Sequence, residues 1–208
     1  MENYKQEIEN MIAVCNLHAR SYAGGKNISS KVQNAMRMIP RHNFVPHHPY
    51  EDTPMPIGHG QTISQPFIVA YMTDMLDIGL SHTVLEIGTG SGYQAAVLSE
   101  VASKVYTVER IKALADQTKI LLEHYSNIHM KIGNGYEGWN EHAPYDRIIV
   151  TAMPDHIPQL LINQLKDGGK MIIPVKEKLI LVTKTNNTYT KKRLIGVRFV
   201  PLVDKNEV

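Results

Sequence analysis

Short apolar strands alternating with helices downstream of Gly60, a glycine-rich turn after the first strand, and acids at the ends of two successive strands predict a doubly wound α/β fold. The expected architecture is a mostly parallel, Rossmann-like sheet with helices on both faces, preceded by an N-terminal helical segment. At 208 residues the chain suits one domain, with residues 1–60 as helices and a loop and 61–208 as the α/β core.

The elements follow from local chemistry. Ile8, Met11, Ile12 and Cys15 recur at helical spacing, and Gly24-Gly25 ends that helix. Ser29-Ser30 can cap a second helix carrying Val32, Ala35, Met36 and Ile39, which Pro40 stops. From Pro46 to Gly60 the chain is rich in Pro, His and Gly, and reads as a long irregular loop, either functional or a plain linker. Ser64-Gln65-Pro66 opens a helix running to about Ile78. Strands are expected at Thr83–Ile87, Lys104–Val108, Ile128–Ile132 and Arg147–Thr151, with helices at Tyr93–Val101 and Ile111–His124, the latter turning Leu114, Leu121 and Leu122 inward. A helix over Ile157–Leu165 would stop at Asp167-Gly168-Gly169, before a strand at Lys170–Val175. Two final strands, Leu179–Thr185 and Leu194–Val200, would turn at Asn186-Asn187.

Twenty-two Lys and Arg against twenty Asp and Glu leave +2, so no broad field exists to hold nucleic acid or an anionic membrane. Cys15 stands alone, which excludes an intrachain disulfide framework and a multi-cysteine zinc site. Ten His residues show no metal-ligand spacing. No stretch approaches the roughly 18 apolar residues of a membrane span, and Glu2, Glu7, Glu9 and Asn10 interrupt any leader-like start. The expectation is a cytoplasmic monomer that uses no metal. Cys15 reads as core, and Trp139 as a core anchor or a cofactor wall. Lys191-Lys192-Arg193 reads as a solvated turn.

The run Val84-Leu85-Glu86-Ile87-Gly88-Thr89-Gly90-Ser91-Gly92 is the most informative. Its glycines follow G-x-G-x-G, whereas the dinucleotide fingerprint is G-x-G-x-x-G. Glu86 before the loop would repel a pyrophosphate but suits a ligand bearing an ammonium or sulfonium group, which points to S-adenosylmethionine. Glu109 ends the next strand and can take both hydrogen bonds of a ribose diol. Gly133-Asn134-Gly135 reads equally as a simple turn or as a neighbour of adenine. Ser64, two residues before Pro66, reads on its own as a helix-capping hydroxyl.

Longer blocks carry a resemblance. "RHNFVP" at 41–46, "PIGHGQTISQP" at 56–66, "VLEIGTGSGYQAAVL" at 84–98, "VYTVERI" at 105–111, "YDRIIVTAMPDHIP" at 145–158, "LKDGGKMIIPV" at 165–175 and "VRFVPL" at 197–202 resemble the protein-L-isoaspartate (D-aspartate) O-methyltransferase family. The glycine loop is shared with many methyltransferases, whereas "GQTISQP" and "VRFVPL" are far more specific.

The resemblance implies methyl transfer from S-adenosylmethionine, leaving S-adenosylhomocysteine, to the free α-carboxylate of isoaspartyl residues in proteins and peptides. The ester then collapses to a succinimide, which initiates repair. It implies Ser64 as the active-site hydroxyl. Glu86, Gly88, Thr89, Gly90, Ser91 and Gly92 would line the methionine part of the cofactor. Glu109, with Arg110 beside it, would take the ribose, and Asn134 and Gly135 would flank adenine. Ile63, Val200, Pro201 and Leu202 would hold the substrate. The family usually carries Asp where this chain has Asn134, which removes a charge. Other functions compatible with the residues are an aspartyl carboxyl methyltransferase for a dedicated peptide and a non-catalytic S-adenosylmethionine-binding module.

Overall fold

The computed structural model describes residues 2–22, 24–186 and 188–204. Three helices come first in the chain and share one apolar cluster: α1 (Glu2–Tyr22), α2 (Ser30–Met38) and α3 (Pro66–Met75). Between α2 and α3 lies a two-stranded hairpin, β1 (Met55–Gly58) with β2 (Gln61–Ile63). The α/β part runs β3 (Thr83–Ile87), α4 (Tyr93–Ser99), β4 (Lys104–Glu109), α5 (Lys112–Leu122), β5 (Ile128–Ile132), β6 (Tyr145–Val150), α6 (Gln159–Asn163) and β7 (Leu165–Val175). It ends with β8 (Lys178–Thr185) and β9 (Thr188–Gly196).

The seven-stranded sheet has the order β5-β4-β3-β6-β7-β8-β9. Strands β3 to β7 are parallel, and β8 and β9 are added antiparallel. The chain moves outward from β3 through β4 to β5, then crosses back to place β6 on the other side of β3. That reversal opens a crevice beyond the carboxyl ends of β3 and β6, where ligands of open α/β sheets bind. Period-two alternation divides the sheet's faces. Val84, Val105 and Ile149 join the cluster of the N-terminal helices and α4, whereas Leu85, Ile87, Ile148 and Val150 pack against Leu161 of α6. Glu86 therefore points to the same side as Val84, beneath the glycine loop.

Several expectations need correction. The end of the irregular segment is ordered: residues 55–58 form β1, because the turn through His59 and Gly60 lets them pair with β2. The helix after Ser64 begins at Pro66 with Gln65 as its cap residue, so Ser64 lies outside it. Asp52, from the preceding loop, does the capping instead, accepting the Phe67 N–H at 2.8 Å and the Gln65 amide at 2.8 Å. Ser29 occupies the cap position of α2, but its hydroxyl makes no capping bond.

Leu121 is exposed, since α5 ends one residue later and only Leu114, Ala115, Thr118 and Leu122 turn inward. Asp167-Gly168-Gly169 does not stop a helix. It lies inside β7, where the pairing with β6 shifts register between Leu165 and Lys170. The last strand starts at Thr188, earlier than expected, and stops at Gly196, so residues 197–200 leave the sheet. Lys191, Lys192 and Arg193 are exposed on that strand and form no turn. Asn187 of the expected turn lies outside the described residues. Cys15 is core. Trp139 is half-buried, edge-on to Tyr106 at 5.4 Å, and lines none of the cavities described below.

Candidate active site

A cleft of about 630 Å³, open to solvent, lies at the carboxyl end of the sheet. Its floor comes from strand ends: Ile87 and Gly88 after β3, Val108, Glu109 and Arg110 at β4, Gly135 after β5, Thr151 and Ala152 after β6. Ile111 and Leu114 form one wall, residues 200–203 another, and Gln61 and Thr62 of the hairpin close it.

The glycine loop is held by its neighbours. At Gly88 the backbone has φ +95°, and a Cβ there would meet Thr151 Oγ1 at 2.5 Å, so only glycine fits. Thr151 uses that hydroxyl to donate to the carbonyls of Ile87 and Gly88 at 2.9 and 2.8 Å. Glu109 ties the loop to β4. One carboxylate oxygen accepts Gly90 N–H at 2.9 Å, and the other accepts Arg110 and Ile111 N–H, each at 2.9 Å. A carboxylate has about four acceptor sites, so the oxygen on Gly90 keeps room for a ligand hydroxyl.

Glu86 lies deeper. It has no exposed surface; one oxygen accepts the Thr107 hydroxyl at 2.6 Å, and the other has no hydrogen-bond partner among the described residues. Burial, opposed by the Thr107 bond and reinforced by the nearby Glu109 charge, pushes its pKa up to about 8. Thr89 contacts the same Thr107 hydroxyl at 2.7 Å, Ser91 accepts Tyr93 N–H at 3.3 Å, and Gly92 caps α4. These residues shape the loop, and only Gly88 and Gly90 of the set line the cleft.

At the far end, Gly135 is packed so closely that a Cβ would lie 2.6 Å from Ile87 Cγ2 and 2.8 Å from Leu202 Cδ1. Asn134 is buried beside the cleft rather than in its lining. Its amide donates to Asp204 at 2.8 Å and to Glu137 at 3.3 Å, and its carbonyl accepts Tyr136 N–H at 3.0 Å. An Asp in its place would oppose two carboxylates with a third, so the carboxamide is the residue type these surroundings accept. The same contact draws the chain near its C-terminus over the cleft. Met153 and residues 200–202 add two further bonds, Met153 N–H to Val200 O at 2.8 Å and Leu202 N–H to Met153 O at 2.9 Å.

Ser64 lines a second cavity with Pro54, Ile68, Val197, Arg198 and Phe199. Thr62, Thr151 and Val200 border both cavities, so the two meet across these three residues. Ile63 is buried in the core and lines neither. Thr62, Gln61, Thr151 and Ile111 were not singled out from sequence. Thr62 and Gln61 stand inside the "GQTISQP" block and could have been. Among the described residues no cluster of three or more His, Cys, Asp or Glu could hold a metal ion, and no helix is long and apolar enough to cross a membrane.

The sequence profile of the family described as Protein-L-isoaspartate(D-aspartate) O-methyltransferase (PCMT) matches residues 14–207. The chain belongs to this family. Within the isoaspartate O-methyltransferase family, a Cupriavidus necator protein named Protein-L-isoaspartate O-methyltransferase 1 is 49% identical over 94% of this chain and 80% of its own. A Plasmodium falciparum member crystallised with S-adenosyl-L-homocysteine superposes with a TM-score of 0.81 at 27% identity, covering 96% of this chain and 98% of that one. Another solved protein-L-isoaspartate O-methyltransferase gives 0.82 at 27% identity; this chain is matched over 93% of its length but spans only 65% of that protein.

Proposed function

We propose that this chain is a protein-L-isoaspartate O-methyltransferase. It moves a methyl group from S-adenosylmethionine to the free α-carboxylate of L-isoaspartyl residues, and by family resemblance of D-aspartyl ones. The observation that carries the reading is the pair of cavities sharing Thr62, Thr151 and Val200, one bounded by the glycine loop and Glu109, the other by Ser64.

The residues present fit the nucleoside. Gly88 and Gly135 line the cleft, and without side chains they let Thr151, Ile87 and Leu202 pack close around it. Ile111, Leu114 and Leu202 offer apolar surface for a flat base, and Glu109 offers an acceptor for a diol. Glu86, buried beneath the loop and outside the cleft lining, contributes its carboxyl group to the polarity under the cationic end without touching it. When bound, S-adenosylmethionine supplies an electrophilic methyl group.

The chain then has to orient an oxygen. A substrate carboxylate with a pKa of about 4 is ionised at neutral pH, so no general base is needed. Ser64 positions that carboxylate by hydrogen bonding. Val200, held on Met153 and bordering both cavities, stands where the peptide backbone would lie, while Pro201 and Leu202 wall the cofactor cleft. Charge disappears as an anion attacks a cationic donor, so a dry cleft favours the step. Alignment of the oxygen can contribute as much as ~7–11 kcal/mol.

Near-zero net charge supports protein and peptide substrates over nucleic acid, and a single buried, unpaired cysteine suits a reducing compartment such as the cytoplasm. The test uses labelled S-adenosylmethionine with an isoaspartyl peptide and its normal-aspartyl twin. Base-labile methyl ester on the isoaspartyl peptide alone is the expected result. Ester on the normal twin would identify a dedicated aspartyl modifier, and ester on neither a binding module; both refute the proposal.

A further inference from the structure

We infer that the Ser64 cavity continues into a second peptide subsite, between the end of α1 and the end of β9, which holds an aromatic side chain flanking the isoaspartyl residue. The inference rests on the reading of the Ser64 cavity as the place where the isoaspartyl carboxylate reacts. An isoaspartyl residue is embedded in a polypeptide, so its neighbours must leave the reaction point along the protein surface.

The structure offers a path. Gln65, Ile68 and Gly196 border the Ser64 cavity and also an open trough whose remaining walls are His18, Tyr22, Phe67 and Ile195. The trough is thus continuous with the cavity, just as that cavity is continuous with the cofactor cleft.

Its chemistry is aromatic and its floor is fixed. His18 lies edge-on to Phe67 with centroids 5.4 Å apart, and Tyr22 lies 5.7 Å from His18. Phe67 in turn stacks on Tyr71 at 5.6 Å. Asp52 pins the arrangement: its carboxylate is 2.7 Å from His18 Nδ1 and also accepts from Phe67 N–H and the Gln65 amide. The residue that caps the helix just past Ser64 therefore also orients the imidazole in the trough.

Tyr22 is 67% exposed, and Ile68 and Ile195 are only half-buried, so ring and aliphatic surface is open to a ligand. Among the described residues no Asp, Glu, Lys or Arg side chain lines the trough. A charged flanking residue would be desolvated there without a partner, whereas an aromatic ring would find both stacking and burial.

The test is a set of isoaspartyl peptides of one length on an alanine background, with a single Phe walked along each side of the isoaspartyl residue. At one register the expected KM is about tenfold below that of the all-alanine peptide, equivalent to ~1.4 kcal/mol, with kcat unchanged. Tyr22→Ala and Ile195→Asp should return the KM of that best peptide to the all-alanine value, and Tyr22→Phe should retain the gain. A KM that is flat across the series, or a gain that survives in both Tyr22→Ala and Ile195→Asp, overturns the subsite. Absence of methyl ester on every peptide overturns the reading of the Ser64 cavity, and the subsite with it.

Discussion

A carboxyl group with no exposed surface, one oxygen on a hydroxyl and the other without a partner, is cheaper to bury protonated than ionised. Glu86 is in that position, with its pKa pushed up to about 8 from 4.5. Between those two values the folded protein keeps a proton that the unfolded chain has lost. Its contribution to the ligand-free protein is therefore full below about pH 4.5 and is lost as pH rises through about 8. Glu86→Gln removes this dependence. Relative to the parent protein, the variant should gain on the order of a few kcal/mol between pH 5 and pH 8.5, read by ligand-free denaturant melts at each pH. Ser64 gives a different prediction because it caps nothing. Ser64→Ala should change stability by no more than ~0.5 kcal/mol, lower kcat about 10²-fold or more through loss of carboxylate positioning, and leave cofactor affinity unchanged by calorimetry. The glycine loop and Glu109 were legible because their residue types carry chemistry at a telling spacing. Thr151 and Ile111 were not, because a threonine or an isoleucine becomes a wall only through the register of the strands around it.

Elements were legible where one pattern sufficed and lost where a partner decided. The parallel strands announced themselves as apolar runs, and β3 has the bounds its sequence predicts. The glycines at 168 and 169 carry the local signature of a helix stop, yet a strand neighbour draws them into an irregular stretch of β7. Residues 55–58 gained order from β2, and α3 gained its cap from a residue 15 positions upstream of Phe67. Distance along the chain hides such a cap. Asp52→Ala should destabilise the protein by ~1–2 kcal/mol, as loss of a cap does, with further loss from the donors of Gln65 and His18 left behind. Urea unfolding of Asp52→Ala beside Asp52→Asn measures it; equal stability of Asp52→Ala and the parent would remove Asp52 from this role.

At the scale of the molecule, the N-terminal helices and the sheet are one packed body: Met11, Val32 and Phe67 belong to the same apolar cluster as Val84 and Ile149. Arg41 sits in that cluster with no exposed surface, its guanidinium 5.0 Å from the centre of the Tyr93 ring. Among the described residues neither its side-chain nitrogens nor the Tyr93 hydroxyl has a hydrogen-bond partner. Burial lowers the Arg41 pKa, the direction expected of a cation without a salt bridge. A residue of similar length without the charge should therefore serve at least as well. Arg41→Met is expected to be neutral or up to ~1–4 kcal/mol stabilising, while Arg41→Ala should cost ~2–4 kcal/mol through the void it leaves. Chemical denaturation of the two variants side by side decides it. The sequence announced a doubly wound sheet, because alternation of strands and helices leaves few other solutions. It did not announce that the cavities connect, since that depends on three segments distant along the chain arriving together at Thr62, Thr151 and Val200.

The sheet finishes at β9, which pairs on one side only and carries Lys191, Lys192 and Arg193 exposed on its length. An unpaired strand edge is a ready template for any extended segment that meets it. Three neighbouring cations make that border a poor one to zip onto, because an incoming strand would have to strip or crowd their hydration. The border of the sheet is thereby closed to a further strand by charge, with no covering element needed.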